Sequence, residues 1–190
     1  MTTQRNSDQK LPHKGERISH LACSLYLFDP SHQSILLIKH KGLGVWLPPG
    51  GHVEEGELPH IAALREAFEE TGMQNIRLLD LKAGDLQLAS TEQQQLPFVP
   101  ETAEEKLFLE PFALVEEKIP ASAKDVEHFH IDYVYVGQLQ SAQDTQILTT
   151  EVSDAQWVNL NAEAIDQLET FPNIKMLLKR LRATREPTSL

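Results

Sequence analysis

Three glutamates crowd into one short stretch, Arg65-Glu66-Ala67-Phe68-Glu69-Glu70, behind a loop punctuated by glycine. On a helix, residues three and four apart share a side, so Glu66, Glu69 and Glu70 stand together. Carboxylates held that close repel one another, and a fold that keeps them together needs a compensating cation. Magnesium and manganese favour such oxygen ligands, keep several waters and bridge to phosphates. The bland alternative is a solvated helix face. For Glu-x-x-Glu-Glu alone, that is the commoner outcome.

The surrounding residues tighten the constraint. Periodicity predicts a helix over His60 to Thr71, with Pro59 suited to its first turn and Gly72 to its C-cap. Ile61, Leu64 and Phe68 recur at helical spacing and are expected to form the buried stripe. That places the glutamates on the exposed side. Gly50 and Gly51 admit backbone conformations closed to other residues and let a ligand approach closely, and Gly56 allows a second sharp turn. Glu57 lies just before the helix, where the dipole favours a carboxylate.

The full spacing runs from Gly51 through Glu57, then Arg65-Glu66-Ala67, Glu69-Glu70 and Gly72-Met73. It resembles the Nudix box at every defined position. The resemblance implies an α/β fold, a Nudix-type α/β/α sandwich with a mixed sheet. It also implies a Mg2+ or Mn2+ cofactor. Glu66, Glu69 and Glu70 match the metal-binding glutamates, and Gly51 matches the glycine whose backbone joins the metal site. Glu57 matches the glutamate that supports the cluster, sometimes as a ligand. Arg65 matches the arginine that pairs with a box carboxylate and fixes the helix to the loop. The implied catalytic residues are Glu69, Glu70 and Arg65. The implied reaction is attack of water on a phosphorus of a nucleoside diphosphate linked to another moiety, with metal ions polarising the phosphoryl oxygens. The alternative is a Nudix module that senses a nucleotide without cleaving it. Isopentenyl diphosphate isomerase shares the fold but relies on a catalytic cysteine in its own motif, and Cys23 has no such motif around it.

The box leaves the general base open. Candidates are Glu69, Glu116, Glu117 and the run Glu127-His128-Phe129-His130-Ile131-Asp132. Within that run His128, His130 and Asp132 alternate and share one face if the segment is a strand. They are either a polar patch contacting substrate or metal, or a solvated strand face. His52, inside the box loop, is a further candidate for contact with a phosphate. Trp46, just before the loop, reads as a packing anchor. Cys23, in the apolar run from Leu21 to Phe28, reads as a small core residue.

Substrate signals are weak. The ADP-ribose type of Nudix protein has a proline a short way beyond the box; Leu88 stands near there and the nearest proline is Pro97. The diadenosine polyphosphate type has a tyrosine slightly further on, where this chain has Ala89-Ser90-Thr91. The NADH type has an aromatic, proline-rich motif, of which Gln95-Leu96-Pro97-Phe98-Val99-Pro100 is a faint echo. A nucleoside triphosphate or a modified nucleotide fits by default.

The rest of the chain frames the box. Strands are expected over His20 to Phe28 and Ser34 to His40, joined by the turn Asp29-Pro30-Ser31-His32. Further strands are expected over Ile76 to Leu81, Phe112 to Ile119, Phe129 to Leu139 and Ala155 to Leu160. Helices are expected over Ala162 to Leu168 and Ile174 to Leu181, broken at Pro172. Ala83 to Glu105 reads as a long loop of the kind that is often functional. One domain over residues 18–182 follows, with a flexible arm over 1–17 and a tail over 183–190. The net charge of −11 argues against a long nucleic acid as partner and leaves a small anionic nucleotide, bound through cations. One cysteine, a polar N-terminus and no long apolar stretch fit a cytoplasmic protein without a membrane span. A homodimer is an analogy with the family.

Overall fold

The computed structural model describes residues 18–80, 109–121 and 126–185. The expected N-terminal arm, the loop Ala83 to Glu105 and the last residues of the tail lie outside the described residues.

The chain is built on two long strands, β1 (Ser19–Phe28) and β7 (His128–Leu139), paired in parallel from Ser19 opposite Phe129 to Phe28 opposite Gln138. Parallel strands are normally covered on both faces, and here Leu25, Leu27, Tyr26 and Phe28 of β1 are all buried. The free edge of β1 is shared. Its outer end pairs with β2 (Ser34–His40), and its inner half pairs with β4 (Gly50–His52), in the register Ala22–His52, Cys23–Gly51 and Ser24–Gly50. β2 also pairs with β3 (Trp46–Leu47) and β8 (Val152–Asn159). Beyond β7 lie β5 (Ile76–Leu78) and β6 (Ala113–Ile119), both antiparallel to it. The sheet is therefore mixed, with eight strands.

Helices cover both faces, as the expected sandwich requires. Helix α1 (Pro59–Thr71) packs Ala62, Ala63 and Ala67 onto Cys23, Leu25, Leu27 and Tyr135. On the other face, α2 (Ala162–Gln167) and α3 (Pro172–Ala183) bury Ile165, Ile174, Leu177, Leu178 and Leu181 against Tyr26, Phe28, Val134 and Val136. Pro172 opens α3 rather than lying between elements. α3 extends to Ala183, so the expected tail begins inside a helix. β8 begins at Val152, three residues before the expected Ala155. β5 ends at Leu78; Leu81 lies outside the described residues.

Helix α1 corrects the periodicity argument. Ile61 and Phe68 are 39% and 44% exposed, and Leu64 is half-buried. The buried face is instead Pro59, His60, Ala62, Ala63, Ala67, Glu70 and Thr71. Alanines let the helix lie close to the sheet, where Ile or Phe would hold it off. The rotation that seats them also turns one side of the glutamate cluster inward. The ends follow sequence chemistry: Pro59 opens the helix, and Gly72, at φ 71°, donates its N–H to Phe68 O at 2.8 Å.

Candidate active site

The box loop meets α1 beside the edge of β1. β4 lays Gly50 and Gly51 against Cys23 and Ser24, and Leu25 N–H donates to Pro49 O at 2.9 Å. Neither glycine has positive φ among the described residues; only Gly44, Gly56 and Gly72 do. Space, not backbone freedom, is what these two supply. A Cβ on Gly50 would stand 2.3 Å from Cys23 O, and one on Gly51 would stand 2.5 Å from a Glu66 carboxylate oxygen. Gly56, at φ 79°, does make the expected sharp turn.

Arg65 ties this loop to the helix. Its Nε donates to Glu57 Oε1 at 2.9 Å, and its Nη2 donates to Glu57 Oε2 at 3.0 Å and to His52 O at 2.9 Å. Its Nη1 donates to Glu66 at 2.8 Å and to Glu69 at 3.1 Å. A planar fork suits this set of acceptors, which a lysine would not reach together. Glu57 thus gives both oxygens to Arg65, and Oε2 also accepts from Glu54 N–H at 3.1 Å. The guanidinium beside Glu57 holds its carboxyl below the usual range. Its contact is with Arg65 rather than with a helix dipole.

The three helix glutamates differ in setting. Glu69 is half-exposed. Glu66 is mostly covered, and burial raises its pKa against the opposing pull of Arg65. Glu70 is only 7% exposed. The expected exposed glutamate face is therefore wrong for Glu70, because the alanine face that seats α1 adjoins it. Burial pushes the Glu70 carboxyl up to about 8, opposed by the Gly50 N–H it accepts at 3.1 Å and reinforced by Glu66, Glu151 and Glu69. Glu66, which already accepts from Arg65, and the buried Glu70 offer hard oxygen donors beside the space Gly51 leaves. That donor set fits Mg2+ or Mn2+.

The other face of the same loop carries different chemistry. In β4, Gly51 faces α1 and His52 faces away, opposite Ala22 of β1. His130 lies opposite His20, and His128 and Asp132 share its face of β7. The structure brings together His52, His128 and His130, and adds His20, which sequence reading missed. No local pattern points to His20; only the parallel register of β1 on β7 places it there. Ser24 was missed for the same reason: its Oγ donates to Asp132 Oδ2 at 2.7 Å. Asp132 is buried, burial pushes its carboxyl up to about 7, and its Oδ1 accepts no hydrogen bond among the described residues.

The general-base candidates separate. Glu69 stands in the carboxylate cluster. Glu116 and Glu117 lie on β6, opposite Ile131 and His130, and Glu117 accepts from Asn173 Nδ2 at 2.7 Å. Glu127 pairs with Lys118 at 3.0 Å. Trp46 packs at the rim of the core beneath Lys39, as an anchor. Cys23 is buried and its thiol is pushed up to about 12 by burial, which suits a core residue and not a nucleophile.

A family model described as the NUDIX domain matches residues 18–178. An RNA pyrophosphohydrolase of Gluconobacter oxydans is 52% identical over 40 residues, covering 21% of this chain and 24% of that protein. A putative 8-oxo-dGTP diphosphatase of Bacillus subtilis is 52% identical over 40 residues, covering 21% and 27%. The chain thus spans about a quarter of the length of these curated relatives. A NUDIX-family hydrolase from Clostridium perfringens has a solved structure that superposes with a TM-score of 0.61 at 26% identity, covering 88% of this chain and 98% of that one.

Proposed function

Because the chain belongs to the NUDIX family, we propose that it hydrolyses a phosphate anhydride in a nucleoside diphosphate linked to another moiety. The observation that carries this reading is the buried Glu70 carboxyl in the same cluster as Glu66, whose own carboxylate fills the space a Cβ on Gly51 would need. Glu66 has Arg65 as its counter-charge, whereas Glu70 is held by burial and the Gly50 N–H, so a divalent ion would compensate the charge that Glu70 carries on binding it.

In this reading Glu66, Glu69, Glu70 and the Gly51 backbone hold a Mg2+ or Mn2+ ion. The ion, when bound, polarises the phosphoryl oxygens and lowers the pKa of the attacking water. The chain's own residues do the rest. Arg65 fixes the distance between box loop and helix, and Glu57 anchors Arg65 rather than ligating. Glu69, the most open of the three and within the cluster, is placed to accept the proton of the attacking water. Asp132 offers the substrate an unused carboxyl oxygen, and His52, His128 and His130 stand on the same side of the sheet. The relatives' names, an RNA pyrophosphohydrolase and a putative 8-oxo-dGTP diphosphatase, set the substrate classes to try first. The chain acts as a small-nucleotide enzyme of the cytoplasm, working as a monomer or a homodimer.

A panel of nucleoside triphosphates, modified nucleotides, dinucleoside polyphosphates and 5′-triphosphorylated RNA, each with Mg2+ or Mn2+, tests this by released phosphate or pyrophosphate. Turnover of at least one, abolished by chelator, is the expected outcome. Nucleotide binding without turnover of any member would point instead to a sensing module. Failure to bind either metal would remove the reading altogether.

A further inference from the structure

We infer that His20, His52, His128 and His130 form a second metal site, suited to a borderline-soft divalent ion of the zinc class, on the sheet face opposite α1. One ring nitrogen from each of the four lies within 4.8 Å of the others. His52 Nε2 and His128 Nε2 are each 3.1 Å from His130 Nε2. Nitrogens about 2.0–2.1 Å from a tetrahedral zinc stand about 3.3–3.4 Å apart, so the two contacts at His130 are already close to the spacing of a ligand shell and the other rings need only close in on it.

Hydrogen bonds between the rings themselves account poorly for this convergence. A ring nitrogen has either one proton or one lone pair in its plane, so His130 Nε2 satisfies one of these two neighbours well, not both. Anion binding accounts for it no better. A phosphate would require protonated rings, and two N–H groups aimed at each other across 3.1 Å repel. A cation drawing on lone pairs from all the rings removes both difficulties.

One tautomer is already set for this role. His128 Nδ1 lies 2.8 Å from Val126 O, and a carbonyl only accepts, so Nδ1 carries the proton. In the neutral ring the lone pair of His128 then sits on Nε2, the atom facing His130. Metal-bound histidines are typically oriented by such a bond from the other ring nitrogen. His128 is 4% exposed, which fixes its ring, whereas His52 is exposed and leaves a path for the ion.

The donor set separates this site from the carboxylate cluster. Imidazole nitrogens suit zinc, copper and nickel; magnesium and manganese favour oxygen. The two sites share the box loop and diverge from it, since Gly51 faces Glu66 and the next residue, His52, faces the histidines. A bound ion would cross-link β1, β4 and β7 and hold that loop from behind. The inference does not rest on hydrolase activity.

The test is titration of Zn2+ into the tag-free full chain by calorimetry, with excess Mg2+ present to occupy the carboxylates. Co2+ then serves as a spectroscopic probe of tetrahedral nitrogen ligation. One Zn2+ per chain is expected, with affinity unchanged in Glu66→Gln and weakened at least about tenfold in His130→Gln. His52→Gln, at an exposed position at the end of β4 whose structural hydrogen bonds are made by its backbone, should weaken it too and lose the tetrahedral Co2+ bands. No stoichiometric Zn2+ in the wild-type chain would overturn the inference. So would binding that survives both histidine substitutions, or that disappears in Glu66→Gln.

Discussion

Glu70 shows how one residue links function to instability. Its folded pKa, about 8, lies above the ordinary carboxylate value of 4.5. A group shifted upward on folding stabilises the protein fully only below its unfolded pKa, and that share is lost as pH rises through the folded one. The metal-free protein should therefore weaken steadily from about pH 4.5 to pH 8 on account of this side chain. Glu70→Gln removes the charge and keeps an acceptor for Gly50 N–H. Melting curves in chelator from pH 5 to pH 9 should show the variant gaining on the wild type as pH rises, reaching on the order of 2–4 kcal/mol. The same variant should lose at least about 100-fold in Mg2+-dependent turnover, in the range set by losing a transition-state electrostatic group. A stability difference that stays flat with pH would show that Glu70 titrates as an ordinary glutamate. That Arg65 pairs with a box carboxylate was implied by the resemblance to the Nudix box; that Glu57 gives it both oxygens came from the structure. The depth of Glu70 was not, because burial depends on which helix face meets the sheet.

At the scale of elements, α1 turns on its alanines. Apolar size at helical spacing pointed to Ile61, Leu64 and Phe68, yet the surface against β1 is Ala62, Ala63 and Ala67. Hydrophobicity ranks large side chains first, but a helix lying flat on a sheet needs small ones at the contact. Denaturant unfolding checks this directly. Ala67→Leu forces volume into a closed contact and should cost about 1–3 kcal/mol. Phe68→Ser, at a 44% exposed position, should cost under about 1 kcal/mol. The reverse ranking would restore the large-residue stripe. Strand elements were more legible. β2 matches its expected bounds from Ser34 to His40, and β1 and β7 each begin one residue early. Period-two patterning and flanking turn residues act within a few residues of chain. The Asp29 turn illustrates this: its carboxylate accepts from Gln33 N–H and Ser34 N–H at 2.7 and 2.9 Å.

For the whole molecule, charge and topology govern different things. A net charge of −11 sets a repulsive field for polyanions, whatever the fold. Gel-shift or anisotropy titration with a long DNA duplex should show no binding at physiological salt. Tight binding with a steep salt dependence would reveal a basic surface able to neutralise several phosphates. No helix among the described residues is long and apolar enough to cross a membrane. The sequence by itself determined the box: its glycines, arginine and glutamates lie within 23 consecutive residues, where helix and loop geometry convert spacing into position. Only the tertiary structure decided that Glu70 is buried, that Ser24 meets Asp132 and that His20 joins His52, His128 and His130. Ser24 lies 108 positions from Asp132, and His20 lies 32, 108 and 110 positions from His52, His128 and His130. The contacts of Ser24 and His20 with β7 depend on the parallel register of β1 against β7, which no local pattern encodes. A shift of that register by one residue would send His128, His130 and Asp132 to the other face of the sheet from His20 and Ser24.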